Sequence, residues 1–228
     1  MNPPNDRMHI SPLADVGLIV AFDGETEALR YARTLNRALP AWVEDVVPSY
    51  RTVGIVLRPG SISIDDAKVW LEGVRPDRLE TSVGALHCIP CCYEMQLDMQ
   101  LVTHATGCTS AEVVALHTSI EYPVYAIGFC PGFPYLGGLP AKLEGVPRLP
   151  RPRLQVLPGS VGLAAKQTGI YPLARPGGWN LIGRTPLLLV DEADDYFPIR
   201  PGDRLRFTAI DETEYHKREG SRLEVSRS

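Results

Sequence analysis

The first eighty residues alternate between short apolar runs and helical periodicities. Two extended runs, His9–Ser11 and Gly17–Phe22, precede a segment from Glu25 to Leu39 whose apolar residues recur at helical spacing. A pair of strands is predicted next, at Val43–Pro48 and Thr52–Leu57. A second amphipathic helix, with two acids in its first turn, is predicted at Ile64–Val74. The order strand-strand-helix-strand-strand-helix predicts a small α/β sandwich: an antiparallel sheet with both helices on one face.

The hydrophobic pattern changes after a polar link at residues 75–81. A strand-like run, His87–Tyr93, is followed by two short helical segments, Asp98–Ala105 and Ser110–His117, the second without a full capping box. From Tyr122 onward, short apolar runs are separated by glycine and proline, and they are Val124–Phe129, Leu154–Leu157, Gly162–Ala165, Leu181–Gly183, Leu187–Val190 and Arg204–Ile210. Many short strands with this punctuation predict a barrel or sandwich.

Two domains are therefore expected in an α+β protein, at residues 1–82 and 83–228. The charged tail after Asp211 is expected to fray. The net charge of -4 argues against a nucleic-acid binder, because binding to phosphate backbones normally requires a basic domain. The apolar run Val16–Phe22 is too short for a signal core or a membrane span. These features predict a cytoplasmic protein that binds neither nucleic acid nor membranes.

The segment from Gly128 to Arg184 has an unusual composition. It holds 20 glycines and prolines in 57 residues, with seven Lys/Arg against one acid, Glu144. Glycine permits close backbone approach and proline stiffens loops, so a rigid, amide-rich, cationic lining suits a small anion or a phosphate. The alternative is a β-barrel with many tight turns whose surface arginines happen to cluster. Composition alone leaves both interpretations open.

The five cysteines give little support to a metal site or a nucleophile. Cys88 and Cys91 have metal-ligand spacing and lie near His87 and His104, but no second close pair follows, so we expect free thiols and no metal. Cys130 lies inside the Gly/Pro segment without a base that the sequence fixes beside it.

Several polar side chains lie beside the glycine-rich turns of this segment. Arg148, Arg151 and Arg153 are separated by prolines, which predicts an extended, stiff backbone that presents guanidinium groups for bidentate binding of carboxylate or phosphate. A solvated surface charge is the alternative for each arginine taken alone. Other polar or aromatic residues at these turns are Ser160, Gln167, Thr168, Trp179 and Arg184.

His117 closes a predicted helix, where it has two interpretations. An imidazolium at a helix C-terminus stabilises the helix dipole, and an imidazole is also suited to proton transfer at neutral pH. The sequence contains no Ser-His-Asp order, phosphate-binding P-loop or Rossmann fingerprint. The residues alone therefore predict an anion-binding barrel whose reaction they do not define.

A series of motifs in the second half resembles a known family. The motifs are Gly128–Gly137, Pro147-Arg148, Pro152-Arg153, Gly159–Gly162, Gln167–Pro172, Pro176–Trp179 and Leu181–Thr185. In this order they resemble the family that includes the B subunit of 5-oxoprolinase, allophanate hydrolase subunit 1 and the Kip-type inhibitor of a sporulation kinase. The same module is similar to one half of the carboxyltransferase domain of urea carboxylase, subdomains C and D. The resemblance extends to Leu116-His117, Glu121-Tyr122 and Pro201–Asp203 and covers nearly the whole chain.

The resemblance implies a small N-terminal α/β domain and a C-terminal cyclophilin-like β-barrel. It also implies a hydrolase subunit with two partners: a C subunit (an allophanate hydrolase subunit 2-like protein) and a homologue of the A subunit. The implied reaction is the ATP-dependent opening of the 5-oxoproline lactam to glutamate, with ATP used by the complex. Two alternatives stay open: an inhibitor that binds a histidine kinase, and a carboxyltransferase component that acts on urea, allophanate or a similar amide.

The resemblance also implies roles for individual residues. Three arginines are expected to bind the anionic substrate, three polar side chains to donate hydrogen bonds, two aromatic side chains to wall the pocket, and one histidine to act as a base. The arginines are Arg148, Arg153 and Arg184, and the hydrogen-bonding side chains are Ser160, Gln167 and Thr168. The aromatic walls are Tyr135 and Trp179, and the base is His117.

Two segments depart from the family pattern. Family members commonly carry Tyr-Gly-Gly before Gly-Pro-Asp-Leu, whereas here only Tyr93 and Asp98 align. Ala165-Lys166 stands where relatives tend to have two glycines, and Lys166 is expected either to contact the anion or to fill part of the pocket.

Overall fold

The chain forms two compact units, Met1–Ser82 and Val83–Ser228, in a computed structural model that describes residues 8–76 and 84–223. Four strands and two helices build the first unit: β1 (His9–Leu13), β2 (Gly17–Ala21), α1 (Glu25–Arg37), β3 (Val43–Ser49), β4 (Thr52–Leu57) and α2 (Ile64–Gly73). The sheet is antiparallel throughout, with strand order β1-β2-β4-β3. These elements follow the predicted strand and helix order of this half.

One face of this sheet carries both helices. Val53, Ile55 and Leu57 alternate along β4 and are buried against α1 and α2, as a strand with one covered face requires. The hydroxyl of Tyr31 in α1 donates to the carbonyl oxygen of Leu71 in α2 at 2.9 Å, which joins the two helices directly. The predicted α/β sandwich is confirmed.

A closed seven-stranded barrel forms the core of the second unit. The helices and strands of this unit are, in chain order, β5 (Leu86–Cys92), α3 (Met99–Thr106), α4 (Ser110–Thr118), β6 (Tyr122–Ile127), β7 (Pro134–Leu136), β8 (Arg153–Val156), β9 (Ser160–Ala164), β10 (Gln167–Ile170), β11 (Arg175–Gly177), β12 (Asn180–Arg184), β13 (Arg204–Ile210) and α5 (Glu212–Arg218). The barrel order is β10-β7-β6-β13-β5-β12-β9, closed by pairing of β9 with β10. Strands β8 and β11 form a separate two-stranded ribbon. The predicted α+β class with a C-terminal barrel is confirmed.

The first and last strands of the barrel run parallel and are held by a buried carboxylate. Seven residue pairs join β5 to β13, from Leu86 opposite Arg204 to Cys92 opposite Ile210. Asp203 precedes β13 and accepts hydrogen bonds from the backbone N–H of Ala85 at 3.0 Å and of Arg200 at 2.9 Å. It also pairs with Nε2 of the buried His87 at 3.0 Å. One side chain therefore holds together the chain segments at which both strands begin.

Several details differ from the predictions. Residues after Asp211 form helix α5, since Asp211 caps its start by accepting from the backbone N–H of Glu214 and Tyr215 is buried. The run Leu187–Val190 forms no strand, although its last two residues are buried. Helix α4 does have a complete capping box, with Thr109 rather than Ser110 as its cap. The end of the polar link predicted at 75–81 lies outside the described residues.

None of the helices at 8–76 and 84–223 combines the length and the apolar character that crossing a bilayer requires.

Candidate functional site: an aromatic group flanked by arginines

Five aromatic side chains come together in the second unit. This aromatic group consists of Phe129, Phe133, Tyr135, Tyr171 and Trp179. The ring of Phe133 lies at its centre, 4.9 Å from Tyr135, 5.2 Å from Tyr171 and 5.5 Å from Trp179 between ring centroids. The contacts are edge-to-face, which places the hydrogen-bearing edge of one ring on the electron-rich face of another.

Glycine makes this arrangement of rings possible. A Cβ at Gly169 would lie 2.8 Å from the carbonyl oxygen of Pro134, 3.0 Å from the ring of Phe133 and 3.1 Å from the ring of Trp179. No larger residue fits there without displacing those rings or the backbone of β7. Phe129 has a φ of 65° and an exposed side chain, and such a conformation is costly for a residue with a Cβ.

The charges of two arginines act on the hydroxyl groups of the two tyrosines. Burial raises the pKa of Tyr135 and the pKa of Tyr171, and the positive charge of Arg148 opposes both shifts. The charge of Arg153 also opposes the shift in the pKa of Tyr171. Both hydroxyls therefore keep their protons at neutral pH and can donate hydrogen bonds beside fixed positive charge. A small anion with an apolar ring matches this combination.

A third arginine at this place was missed from the sequence. Arg175 forms a hydrogen bond with Cys130, whose Sγ lies in the same aromatic cluster. The Arg175-Pro176-Gly177 order repeats the proline-spaced pattern of Arg148 to Arg153 and could have indicated it. Burial raises the pKa of Cys130, so the group is a thiol at neutral pH and a poor nucleophile.

Arg153 is tied to a buried carboxylate of the loop that departs from the family pattern. Its Nη2 donates to Oδ1 of Asp98 at 2.6 Å, and Oδ2 of Asp98 accepts from the backbone N–H of Leu181 at 2.8 Å. Asp98 is only 3% exposed. The sequence showed that this residue aligns with the family, but it gave no sign that it contacts Arg153.

His117 lies inside the barrel rather than at the aromatic group. The hydroxyl of Thr168 donates to the carbonyl oxygen of Gly162 at 3.0 Å, so its oxygen accepts from Nε2–H of His117 at 2.9 Å. Nδ1 then accepts from the hydroxyl of Tyr93 at 2.7 Å. Burial lowers the pKa of His117 to about 3. The ring is neutral and both nitrogens are in use, so this geometry supports neither a catalytic base nor a charged helix cap.

The buried histidine predicts a specific dependence of stability on pH. The unfolded state binds a proton near the ordinary pKa of about 6.5, and the folded state does so only near 3, so stability is lost as pH falls through this window. We expect the free energy of unfolding of the natural protein to fall more steeply than that of His117→Gln, by about 1.4 kcal/mol per pH unit between pH 6 and 4. Urea denaturation at several pH values measures both slopes.

The exposed His104 supplies the matched control for this measurement. His104→Gln should leave the slope of the natural protein unchanged. Parallel stability curves for the natural protein and His117→Gln would contradict a neutral, buried imidazole.

The remaining predicted site residues are spread along the barrel. Ser160 is buried at the start of β9, and Gln167 is half-buried at the start of β10. Arg184 donates through Nε to the carbonyl oxygen of Pro158 at 2.9 Å, and its guanidinium lies 5.8 Å from the ring centroid of Tyr215. These contacts place the guanidinium of Arg184 beside Tyr215 of α5, which is not a member of the aromatic group.

Two further expectations concern Lys166 and metal ligands. Lys166 is exposed and pairs with Glu144 at 3.4 Å, so its side chain fills no part of the aromatic group. Among residues 8–76 and 84–223, no three His, Cys, Asp or Glu side chains are grouped so that they could hold a metal ion.

This fold defines a class: an α+β protein with a four-stranded sandwich and a closed seven-stranded barrel, in which arginines lie near a mostly buried aromatic group. The chain belongs to the family described as carboxyltransferase domain, subdomain C and D, whose model matches residues 8–198. The resemblance noted in the sequence is confirmed.

Curated relatives carry one name. The chain is 42% identical over 172 residues to the B subunit of 5-oxoprolinase from Escherichia coli O157:H7, a match that covers 72% of this chain and 77% of that protein. It is 44% identical over 131 residues to the B subunit of 5-oxoprolinase from Bacillus subtilis (strain 168), covering 56% of this chain and 54% of the relative.

Solved structures show the same fold within longer chains. The crystal structure of TTHA0988 in space group P212121 is 35% identical with a TM-score of 0.76, and the match covers 86% of this chain but only 40% of that one. The urea carboxylase of Kluyveromyces lactis is 15% identical with a TM-score of 0.77, covering all of this chain and 24% of the other. At that identity the second likeness shows the fold alone.

Proposed function

We propose that this chain is the B subunit of an ATP-dependent 5-oxoprolinase, which opens the lactam of 5-oxoproline to glutamate together with the C and A subunits. The observation that carries the proposal is the 42% identity to a B subunit of 5-oxoprolinase across 77% of that protein. Three relatives with this name, from three species, support it.

The aromatic group and its arginines suit this substrate. 5-Oxoproline is a small five-membered ring with one carboxylate, so an apolar wall and fixed guanidinium groups match its two halves. We assign the ring to Tyr135 and Trp179, and the carboxylate to Arg148 and Arg153. The protonated hydroxyls of Tyr135 and Tyr171 donate the remaining hydrogen bonds to the substrate's oxygen atoms.

ATP makes the reaction feasible because an unstrained lactam resists hydrolysis. Transfer of the γ-phosphoryl group to the lactam oxygen turns the carbonyl carbon into a better electrophile. One water adds to that carbon, the C–N bond breaks and the nitrogen leaves as an amine, and a second water takes up the phosphoryl group as phosphate. Donors that hold developing negative charge lower the barrier of such a step. We assign ATP to the complex as a co-substrate and place the complex in the cytoplasm.

Partner subunits follow from the same relatives. A protein named as one lettered subunit belongs to an assembly, and in TTHA0988 the segment similar to this chain is 40% of a longer polypeptide. That arrangement supports a barrel that acts beside a second protein. We assign those partners to a C subunit and a homologue of the A subunit.

Reconstitution tests this function directly. The chain is co-purified with its C-subunit and A-subunit homologues, and glutamate formed from 5-oxoproline is measured with and without ATP. We expect turnover only with ATP and all three proteins. No turnover by the full set, together with tight binding of the chain to the helical dimer of a histidine kinase, would overturn the proposal.

A further inference from the structure

Arg153 has one guanidinium nitrogen in use and one without an acceptor. Nη2 is held by Asp98, whereas Nη1 is buried and has no hydrogen-bond partner among the residues that the structure describes. Buried N–H groups in folded proteins are nearly always paired, so an unpaired one calls for a specific explanation. An oxygen atom of a bound anion would supply the missing acceptor.

Arg153 lies on the ribbon that packs against the aromatic group. Arg153 is the first residue of β8 and pairs across the ribbon with Gly177. A Cβ at Gly177 would lie 2.5 Å from the hydroxyl of Tyr171, so the ribbon packs directly on that ring. The charge of Arg153 acts on the Tyr171 hydroxyl from this side. The ribbon thus brings the guanidinium to the edge of the site.

Asp98 connects three elements of the unit at this guanidinium. It immediately precedes α3, its carboxylate contacts Arg153 of β8, and it forms two bonds with Leu181 of β12. These are Leu181 N–H to Oδ2 at 2.8 Å and Asp98 N–H to the Leu181 carbonyl oxygen at 2.9 Å. Leu181 follows Trp179 by two residues. The carboxylate is therefore immobile, and it lies between the arginine and strand β12, which begins directly after Trp179.

We propose that Asp98 is the positioning residue of this site, which holds Arg153 by Nη2 so that Nη1 binds a carboxylate oxygen of the substrate. The inference rests on the proposed function and adds a residue to it. A guanidinium is a planar fork, so fixing one terminal nitrogen against an immobile acceptor also fixes the direction of the other. Asp98 acts through Arg153 and does not touch the substrate.

Steady-state kinetics of the assembled complex test the role of Asp98. In Asp98→Asn the side chain keeps its size and one acceptor oxygen but loses its charge and second acceptor. We expect KM for 5-oxoproline to rise about 10-fold or more and kcat to change less than about threefold, because a contact to the non-reacting carboxylate binds ground state and transition state alike. KM for ATP should not change.

A double-mutant cycle separates positioning from stability. Arg153→Lys keeps a cation beside Asp98 but removes the second nitrogen, so we expect the same rise in KM in a chain whose ion pair persists. If Asp98 acts through Arg153, the double variant should be no worse than Arg153→Lys alone. Glu121→Gln is the matched control, because Glu121 pairs with Arg204 and Arg206 elsewhere in the unit.

Several results would overturn the proposal. One is an unchanged KM for 5-oxoproline in Arg153→Lys. Another is an Asp98→Asn variant whose thermal stability and kcat fall while its KM for 5-oxoproline does not rise. If Asp98→Asn does not fold, Arg153→Lys decides alone.

If the natural complex does not turn over 5-oxoproline, the proposed function fails, and the full chain is titrated with 5-oxoproline and inorganic phosphate. Binding of either anion that weakens at least about 10-fold in Arg153→Lys then supports the role of Arg153 Nη1, and equal or absent binding refutes it.

Discussion

Replacing Asp203 with alanine should unfold the second unit at much lower denaturant than the natural protein. The change leaves two backbone N–H groups and Nε2 of the buried His87 without their acceptor. We expect a loss of about 3–5 kcal/mol in the free energy of unfolding, because one buried carboxylate with three hydrogen-bond partners is removed and those partners are left without it. Hydrogen exchange followed by mass spectrometry measures the loss in β5 and β13 separately from the first unit.

Asp211→Ala is the appropriate comparison for that variant. Asp211 also accepts a backbone hydrogen bond, but it does so as an exposed cap of α5. Its replacement should cost only about 1 kcal/mol. Equal effects of the two substitutions would mean that the Asp203 contacts joining the starts of β5 and β13 are not what stabilises the barrel.

Introducing valine at Gly169 should disable the site while the barrel remains folded. The new side chain would collide with the backbone oxygen of Pro134 and the rings of Phe133 and Trp179, which must move. Overpacking of this kind costs about 1–3 kcal/mol. Because the displaced rings form the wall of the site, we expect kcat/KM for 5-oxoproline in the complex to fall at least about 100-fold, as small misplacements of reacting groups do.

Gly128→Ala provides the comparison within the same motif. A Cβ at Gly128 would meet only the ring of Tyr135, at 3.8 Å, an ordinary contact distance. Activity and stability should remain near those of the natural protein. If Gly169→Val retains full activity, the aromatic group is not the substrate site.

The first unit could be predicted from the sequence because each of its elements buries one face. The apolar residues of α1 recur at helical spacing and those of β4 alternate, so local pattern and tertiary contact agree. Strand β13 was placed at Arg204–Ile210, the bounds that the structure shows. Helix α5 was missed because it is charged and buries a single tyrosine.

The short strands of the second unit left no such pattern. Strands β7 and β11 have three residues each and contain proline, and β10 has four with a central glycine. Their extended conformation comes from pairing with neighbouring strands, in the closed barrel for β7 and β10 and in the ribbon for β11, rather than from their own residues. The parallel pairing of β5 with β13 joins segments more than a hundred residues apart, and no local signal encodes it.

The sequence named many members of the site but could not group them. Arg184 and Trp179 both follow glycines, yet Trp179 precedes β12 and packs against Phe133, whereas Arg184 ends that strand and lies beside Tyr215. His117 was expected at a helix end, which it occupies, but its burial beneath Thr168 depends on how the barrel closes. Asp98 and Arg175 matter through contacts distant in sequence.

Nuclear magnetic resonance of the tryptophan indoles tests the central claim, that this chain's aromatic group binds the substrate. The three tryptophans are Trp42 and Trp70 in the first unit and Trp179 in the second, so two signals act as internal references. The chain, labelled with nitrogen-15 and assembled with its partner subunits, is titrated with 5-oxoproline. We predict a saturable shift of the Trp179 signal alone, lost in Arg148→Ala. A complex that turns over 5-oxoproline while the Trp179 signal stays unchanged would mean that the substrate binds elsewhere.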